Sequence, residues 1–369
     1  MYVRIYEGTE MRILIFNWRD ITHPWSGGAE VYIHEIGKRL VKKGYYVTLF
    51  CGKYPGCKEE TVIDGIKIIR KGGQYSLYLY APIYYLLKLR DKYDVIIDCE
   101  NGIPFFTPLF SRKKKICVMH HVHTDVFDKE LPFYLSWVGK FLEGFLMPLV
   151  YKNIDFVAVS PSTKKEMIDL GIDKDKIRII YNGMDGQFAP DFSKKKGNLI
   201  VYVGRIKRYK QLDHLVRAFR IVKDKVQDAE LVIAGKGNFV EIEELAKKLN
   251  LKIGLYNDIT EDEKIDLLQK AKLFVTTSMK EGWGITVIEA NRCGTPVVAY
   301  DVDGLRDSIR NNETVLLVKS GDIEQIGESI IKIIENNDFQ MNIRALEWSK
   351  KFDWNKSTEE FEKFIEYVR

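Results

Sequence analysis

Two glutamates in the stretch KEGWGITVIEA, residues 280–290, are candidate binding groups because of their spacing. Glu281 stands before a Gly-Trp-Gly turn, and Glu289 follows after seven intervening residues. The apolar residues from Ile285 onward recur at helical intervals, which predicts a helix that carries Glu289 about one turn inside. Because a helix N-terminus presents unpaired N–H groups, a phosphate could sit between the two acids. A capped, solvated helix start with ordinary surface acids is the alternative interpretation.

A second candidate anion site follows the first predicted strand, where Gly27 and Gly28 precede a helical pattern. Glycine at a helix entry lets the backbone approach a ligand closely, and the helix N-terminus supplies N–H donors. Such glycines also occur for reasons of geometry alone. The position after strand one favours a ligand, because ligands of open α/β sheets bind beyond the carboxyl ends of strands.

Three of the six histidines, His120, His121 and His123, follow the predicted strand KICVM, and their concentration predicts a site. Metal binding would need further ligands and a supporting shell. We therefore interpret the group as one imidazole that reaches a substrate hydroxyl from the strand end, and we expect no bound metal. The pair Asp301 and Asp303 precedes a glycine after another strand. We interpret this pair as a turn, not as a metal-binding Asp-x-Asp.

Cations and glycines also follow two strands of the second half. The run VYVGRIKRYK leaves its strand through Gly204 and places Arg205 and Lys210 in a loop. They could clamp a diphosphate there, with an exposed basic loop as the alternative. Gly235, in AELVIAGKGN, belongs to only a partial match to the G-x-G-x-x-G fingerprint. A nicotinamide cofactor is therefore weakly indicated.

Short apolar runs alternate with helical patterns along the chain, which predicts parallel sheets with crossover helices. The predicted strands are RILIF, YVTLF, IKIIR, DVIID, KICVM, FVAV and IRIIY in the first half, and LIVYV, AELVIAG, LKIGLY, KLFVTT, PVVAY and VLLV in the second. We predict an α/β fold of two Rossmann-like domains, residues 1–188 and 197–349, that face each other across a cleft and are joined by a polar linker. The last helix has no strand of its own, and we expect residues 350–369 to pack back on the first domain.

The composition is that of an ordinary globular chain, with 46% hydrophobic and 30% charged residues. The first residues lack the apolar core of a secretion signal. Five cysteines form no metal-ligand spacing, so we expect reduced thiols in a cytosol. The net charge is +5, and no basic motif interleaved with aromatic residues is present. Nucleic acid is therefore not an expected partner.

One nearly apolar segment, residues 131–151, complicates this picture. Lys140, Glu143 and Pro148 make it a poor membrane span. We interpret it as a buried helix. The alternative is contact with a membrane surface beside the basic cluster 113–115, which would place a cytoplasmic protein at the inner membrane face as a peripheral protein.

The chain from residue 11 to its last helix resembles the retaining glycosyltransferases of family 4. The resemblance rests on the order and spacing of the segments SGGAE, VMHHVH, VSPSTKKEM, IIYNGMD, VGRIKRYKQLDHLVRAF, LVIAGKGN and KEGWGITVIEANRCGTPVVAYDVDGL. It implies the GT-B architecture, with a nucleoside-diphosphate-sugar donor held mainly by the second domain. It also implies no cofactor besides this donor substrate, and no metal needed for catalysis.

The resemblance implies roles for single residues. The glutamate that matches Glu281 lies beside the transferred sugar, and the one that matches Glu289 binds the ribose hydroxyls of the donor. Arg205 and Lys210 would neutralise the diphosphate leaving group. His120 would touch the sugar, with His121 as the alternative register. The implied catalytic residues are His120, Glu281, Arg205 and Lys210, and the implied donor-binding residues are Gly27, Gly28, Gly204, Arg205, Lys210, Gly235, Gly282, Trp283, Gly284, Ile285 and Glu289.

The activity that the resemblance implies is transfer of a sugar, with retention, to a hydroxyl of a glycan, a small molecule or a lipid-linked acceptor. Two other functions stay open, because fold alone does not select among them. One is a nucleotide-sugar epimerase, which interconverts sugars without an acceptor. The other is a nonenzymatic protein that binds nucleotide sugars, which would show no turnover on any acceptor.

Overall fold

The computed structural model describes residues 11–195, 197–311 and 313–368. The chain divides into two compact units. The first consists of Met1–Gly183 together with Trp354–Arg369, and the second of Met184–Asp353. Each unit is built on its own β-sheet.

Within the described residues, the sheet of the first unit has eight strands in the order β3-β4-β2-β1-β5-β6-β7-β8. The strands are β1 Arg12–Phe16, β2 Tyr46–Cys51, β3 Glu60–Ile63, β4 Ile66–Arg70, β5 Val95–Glu100, β6 Lys114–Met119, β7 Asp155–Ala158 and β8 Ile177–Ile179. All neighbours pair in parallel except β3 with β4. The central strands are continuous apolar runs, because helices cover both faces of a parallel sheet.

Strand β3 is the one strand of this sheet that the predicted set lacks. It forms a hairpin with β4 through Asp64 and Gly65, whose φ angles are +50° and +82°. An Asp-Gly pair with two positive φ angles is typical of the tight turn that matches the twist of paired strands. The missing strand therefore had a local signal in the sequence.

The sheet of the second unit has six strands in the described residues, in the order β11-β10-β9-β12-β13-β14. The strands are β9 Leu199–Val203, β10 Glu230–Gly235, β11 Gly254–Asn257, β12 Leu273–Thr276, β13 Val297–Tyr300 and β14 Val315–Val318. All neighbours are parallel, as predicted. The order makes β9, β10, β12 and β13 neighbours, so the loops after their carboxyl ends emerge along one edge of the sheet.

Most of the helices lie between the strands as crossovers, and the last three follow β14. They are α1 Gly28–Lys42, α2 Leu77–Tyr84, α3 Thr107–Phe110, α4 Thr124–Glu130, α5 Phe133–Phe141, α6 Met147–Val150, α7 Pro161–Asp169, α8 Leu212–Lys225, α9 Val240–Lys248, α10 Glu261–Lys270, α11 Ile285–Arg292, α12 Leu305–Ser308, α13 Ile323–Asn336, α14 Phe339–Ser349 and α15 Trp354–Val368. Helices α2 and α5 each continue into a π-helical turn, Tyr85–Leu89 and Leu142–Leu146. Helix α15 belongs to the first unit, where it packs on α1. Together these features form the two Rossmann-like domains of the GT-B architecture.

The predicted polar linker packs on the second unit. Gln269 donates from Nε2 to the backbone oxygen of Ala189 at 2.8 Å. Lys195 donates to the backbone oxygen of Ala271 at 2.8 Å and contacts Thr295 Oγ1 at 2.7 Å. These contacts explain why the division of the chain falls earlier, between Gly183 and Met184.

The interpretation of residues 131–151 as a buried helix is wrong. Its helices α5 and α6 expose large apolar side chains, of which Phe133 is 86% accessible and Trp137 63%. Sequence periodicity could not decide this, because the segment is apolar on most of its circumference. In the described part of the chain, no helix is both long enough and apolar enough to cross a membrane.

Candidate functional site

The loops after β9 and β12 are tied together beyond the carboxyl ends of these two strands. The N–H of Met279 donates to the carbonyl oxygen of Tyr209 at 2.9 Å. The hydroxyl of Thr277 lies 2.9 Å from the carbonyl oxygen of Lys210 and 2.8 Å from that of Gln211. These bonds bring Lys210, from the first loop, against the second.

Lys210 and Glu281 form an ion pair where the two loops meet. Both side chains are mostly buried, with accessible fractions of 12% and 19%. Ser278 Oγ donates to the same carboxylate at 2.8 Å. Burial alone would lower the pKa of Lys210, but the Glu281 carboxylate raises that pKa above its ordinary value. The site thus holds a charged ammonium beside a hydrogen-bonded carboxylate.

Arg205 joins this pair through Tyr209. The Arg205 guanidinium donates to the Tyr209 hydroxyl at 3.1 Å, and Lys210 Nζ lies 4.9 Å from the centre of the Tyr209 ring. The hydroxyl of Tyr202, on β9, donates to the Arg205 carbonyl oxygen at 3.0 Å. Tyr209 therefore contacts both cations and sets the spacing between them.

Gly204 and Gly235 end the neighbouring strands β9 and β10 side by side. The N–H of Gly204 donates to the carbonyl oxygen of Ala234 at 3.0 Å. Gly235 has φ +142°, and a Cβ placed on it would collide with the carbonyl oxygen of Gly204. Gly235 is thus required for the close approach of the two strand ends, whereas a Cβ on Gly204 would meet the hydroxyl of Tyr202 at 2.7 Å.

Helix α11 begins at Ile285, as predicted, directly after Gly284. Within the described residues, no side chain caps its N-terminus. An uncapped first turn has N–H groups of the kind that bind anions. Trp283 is only 3% exposed and meets the Phe352 ring edge-on at 5.0 Å between centroids. Its indole therefore anchors the turn in the core of the second unit.

The loop after β13 supports the same turn through Gly304, which was not among the predicted site residues. Gly304 has φ +80°. A Cβ on it would lie 2.6 Å from the carbonyl carbon of Glu281 and 2.8 Å from that of Gly282. Only glycine allows the two loops to pack this closely.

Glu289 lies in the second turn of α11 and is nearly buried. Lys264, on α10, places Nζ 2.8 Å from Glu289 Oε1 and 2.9 Å from Glu261 Oε1. Burial alone would lower the pKa of Lys264, but the carboxylates of Glu289 and Glu261 raise that pKa above its ordinary value. The result is a charged lysine that neutralises Glu289 and fixes its rotamer. No motif marks Lys264 in the sequence.

Asp301 and Asp303 form the predicted turn. Arg306 donates from Nε to Asp301 at 2.7 Å and from Nη1 to Asp303 at 3.0 Å. The Arg306 guanidinium therefore pairs with both carboxylates.

In the first unit, His120 lies at the carboxyl end of β6 and is 7% exposed. Its ring meets the Tyr32 ring edge-on at 5.3 Å between centroids. Burial, with the nearby His123, lowers the pKa of His120 to about 3, so the imidazole is neutral at physiological pH. Its Nε2 atom is buried and has no hydrogen-bond partner among the described residues. The half-buried His121 contacts His123 instead, with 4.0 Å between ring centroids and the rings tilted by 34°.

Helix α1 begins at Gly28, with Gly27 as its extended N-cap residue. The carboxylate of Glu30 accepts the N–H of Gly27 at 2.7 Å and lies 3.3 Å from Arg19 Nε. The amide of Gly27 is therefore engaged by the chain's own carboxylate. This leaves the amide of Gly28 and those that follow as the anion donors of this helix.

One group of described side chains could share a metal ion. Donor atoms of Glu100, His123 and Glu143 all lie within 4.8 Å of one another. Both oxygens of Glu143 already accept the backbone N–H of His123, at 2.8 and 2.9 Å. Burial, with the nearby Glu143 carboxylate, raises the pKa of Glu100 to about 8. At neutral pH the group is therefore a neutral acid beside a carboxylate that holds the segment after β6 in place.

The structure thus brings together Arg205, Lys210, Glu281 and the start of α11, with Glu289 on the same helix. In the first unit, His120 directly follows β6, and Gly27 and Gly28 lie at the start of α1, after the loop that follows β1. The supporting residues that the sequence did not reveal are Tyr209, Lys264, Ser278 and Gly304.

Two family models match consecutive parts of the chain. The model described as Glycosyltransferase Family 4 matches residues 26–188, and the model described as Glycosyl transferases group 1 matches residues 185–346. A curated relative, the N-acetyl-alpha-D-glucosaminyl L-malate synthase of Bacillus anthracis, is 24% identical over 87% of this chain and 88% of its own.

Solved structures show the same architecture. Sucrose-phosphate synthase from Thermosynechococcus elongatus aligns with a TM-score of 0.81 at 17% identity, over 97% of this chain and 99% of its own. Anabaena Alr3699/HepE, crystallised with UDP-glucose, aligns with a TM-score of 0.76 at 16% identity, over 97% of this chain and 100% of its own. The two family models together account for most of the chain, which belongs to the glycosyltransferases of the family 4 type.

Proposed function

We propose that the protein transfers a sugar from a nucleoside-diphosphate-sugar to an acceptor hydroxyl, with retention of the anomeric configuration and without a catalytic metal. The single observation that carries this proposal is the ion pair of Lys210 and Glu281 beside the uncapped start of α11. A cation, a carboxylate and helix N–H groups meet there. These are the groups that a diphosphate linked to a sugar requires.

The charge arrangement suits departure of a diphosphate. As the bond between the anomeric carbon and the phosphate oxygen breaks, negative charge grows on the leaving group. Lys210 and Arg205 stabilise that charge, and they do so better in a mostly buried site than in water. Glu281 accepts hydrogen bonds from the sugar hydroxyls once the donor draws Lys210 toward its phosphates.

Glu289 is the proposed ribose ligand. A carboxylate accepts from two neighbouring hydroxyls, and Lys264 holds Glu289 in one orientation before the donor binds. The complex of Alr3699/HepE with UDP-glucose supports a nucleotide sugar as the donor. His120 offers a neutral imidazole to a sugar hydroxyl, because burial suppresses its protonation.

Retention follows if the acceptor attacks the face from which the diphosphate leaves. The acceptor oxygen bonds to the anomeric carbon, the carbon–phosphate-oxygen bond breaks, and the hydroxyl proton passes to the leaving phosphate. Lys210 and Arg205 supply the positive charge that a metal would otherwise provide. We therefore expect full activity in the presence of EDTA, and NMR of the product should show the anomer of the donor. An isolated covalent glycosyl-enzyme would contradict this mechanism.

The first test is thermal stabilisation by UDP, GDP, ADP and their sugar conjugates, since a ligand that binds only the folded state raises its stability. We expect one base to be preferred, and we expect Glu289→Gln to abolish the shift. Glu261→Gln is the matched control, because it removes the other carboxylate of Lys264 at a position that is 50% exposed. Equal shifts in both variants would contradict the ribose assignment.

Turnover separates the three candidate functions. With the preferred donor, Lys210→Met should lower kcat by about 10²–10³-fold, the usual loss for one charge-stabilising donor. Arg208→Met is the control, because it removes one cation from the same turn at a side chain that is 82% exposed. A sugar epimer formed without acceptor would support the epimerase. Binding without turnover on any acceptor would support the nonenzymatic protein.

A further inference from the structure

Helices α5 and α6 are amphipathic with the apolar side turned outward. With the π-helical turn Leu142–Leu146 that joins them, their buried positions are Ser136, Gly139, Glu143 and Met147. Their exposed positions, one turn apart, are Phe133, Trp137, Phe141, Phe145 and Leu149. Apolar side chains normally turn toward the core, so an exposed aromatic row of this kind is typical of a binding surface.

The aromatic row is ordered as a stack. The rings of Trp137 and Phe141 lie 6.0 Å apart at 10°, and those of Phe141 and Phe145 lie 5.5 Å apart at 27°. No described side chain covers this stack, since each ring stays 45% or more exposed. The row is therefore a preformed surface.

Helix α2 and its π-helical turn extend the same surface. They expose Leu79, Ile83, Leu86 and Leu87, and the short helix α3 exposes Leu109. The connections β4 to β5, β5 to β6 and β6 to β7 all step in one direction across the sheet. Right-handed crossovers that step in one direction lie on one face of the sheet. These helices are therefore neighbours on that face.

Contacts inside the first unit link the three elements. The Tyr85 hydroxyl, after α2, hydrogen-bonds to Ser111 Oγ at 2.7 Å. Phe106, which precedes α3, packs on Tyr151 after α6 with 6.2 Å between ring centroids. These contacts link the three elements beneath their exposed side chains. The exposed apolar side chains of α2, α3, α5 and α6 are here together called the apolar face.

Cations border the apolar face along one edge. The segments 76–90, 103–115 and 132–153 contain eight lysines and arginines and one acid, Glu143, which is buried. Crossovers end at the amino edge of a parallel sheet, so the basic residues at the ends of these segments gather there. The exposed members are Lys88, Arg90, Arg112, Lys114 and Lys152, here called the basic rim. Lys115 turns inward, where its ammonium donates to the carbonyl oxygens of Ser111 and Lys113.

We propose that the apolar face and the basic rim dock the first unit on the surface of an anionic lipid bilayer. Aromatic and leucine side chains enter the interface between headgroups and acyl chains, and the cations meet the lipid phosphates. The exposed acids at the same edge, Asp91 and Asp94, are outnumbered by the cations of the basic rim. A second copy of the chain fits less well, because a two-fold contact would bring the two basic rims against each other. This membrane docking does not depend on the proposed sugar transfer.

The test is flotation of the full chain with vesicles of phosphatidylcholine alone, or of phosphatidylcholine mixed with phosphatidylglycerol, without any nucleotide sugar. We expect the protein to float with the mixed vesicles and to be released by salt. Brominated lipid should quench the fluorescence of Trp137, and Trp137→Phe should remove that quenching. Absence of flotation with either vesicle would overturn the proposal.

Two sets of variants separate the apolar and the charged contributions. Phe133→Ser with Phe141→Ser should abolish flotation. The triple variant R112Q/K114Q/K152Q should weaken it by about a hundredfold, because each cation near an anionic leaflet strengthens binding on the order of fivefold.

The control variant Val240→Gln with Tyr256→Gln removes comparably exposed apolar side chains from the second unit and should float like the wild type. Equal flotation of all variants would overturn the proposal. So would a dimer in light scattering that the Phe133 and Phe141 changes convert to a monomer without any vesicle binding. If the protein transfers sugar but does not float with vesicles, only the docking proposal is refuted. If it floats with vesicles but transfers no sugar, only the proposed function is refuted.

Discussion

Replacement of Gly304 by alanine tests how the loop after β13 shapes the donor turn. The new Cβ would lie 2.6 Å from the carbonyl carbon of Glu281, where ordinary contact begins at 3.4 Å. The obstacle is backbone, so no side-chain rotation relieves it. The Glu281 carbonyl oxygen lies closer to the new Cβ than the carbonyl carbon does, so the segment around Glu281 must shift by about 1 Å or more.

Two costs add in this variant. Alanine at φ +80° and ψ −45° costs on the order of 1–3 kcal/mol, because residues with a Cβ rarely adopt this conformation. Forcing atoms into packed space costs about 1–3 kcal/mol more. Gly321→Ala is the matched control, because Gly321 has φ +87° and no atom within 4 Å of the added Cβ. Gly321→Ala therefore carries the cost of a positive φ without the collision.

Urea unfolding and donor binding measure the two effects. We expect Gly304→Ala to be about 1–3 kcal/mol less stable than Gly321→Ala. A shift approaching 1 Å in a positioning group costs about a hundredfold, so kcat/KM should fall by roughly that factor in Gly304→Ala alone. If both variants lost the same stability and kept the same activity, the close approach of Gly304 to Glu281 would have no consequence and this reasoning would be refuted.

Three further results are expected. Lys264→Met should lower the free energy of unfolding in urea by about 3 kcal/mol, because Glu289 becomes a buried carboxylate without its partner. Adding Glu289→Gln should recover part of that loss. A double variant no more stable than Lys264→Met would contradict the ion pair. Burial lowers the pKa of Lys195 to about 8, below its unfolded value of 10.5. Between these values the unfolded chain binds more protons, so the wild type should gain about 3 kcal/mol relative to Lys195→Met as the pH rises from about 8 to about 10.5; parallel urea profiles across that range would contradict the burial. Phe219→Ala, in the core of the second unit, should cost about 3–5 kcal/mol in urea unfolding, because it empties a fully buried site; a loss below that of an exposed change such as Phe339→Ala would contradict the packing.

The strands were predictable to within a few residues, because parallel strands buried on both faces require continuous apolar runs. β1, β2, β4 and β9 correspond to RILIF, YVTLF, IKIIR and LIVYV with at most one residue of difference. Strand β3 was missed although its Asp-Gly turn marks a hairpin. Its four residues alternate between exposed and half-buried, so no apolar run revealed them.

The outward orientation of the aromatic row of α5 and α6 could not be predicted, because an apolar segment has the same sequence pattern whether it packs on a core or is exposed. What decides its orientation is the inner side, where Gly139 packs against Phe127 and Glu143 holds the backbone of His123. These partners lie elsewhere in the chain.

The sequence by itself determined the α/β class, the start of α11 and the order of the loops that carry Arg205, Lys210, Glu281 and Glu289. It could do so because periodicity, glycine turns and motif spacing are local properties. Only the tertiary structure decided that Lys210 pairs with Glu281, that Lys264 neutralises Glu289, that the indole of Trp283 is a buried anchor and that burial keeps His120 neutral. The physical reason is that ion pairing and desolvation depend on which distant segments meet, and the packing of the sheets sets those meetings.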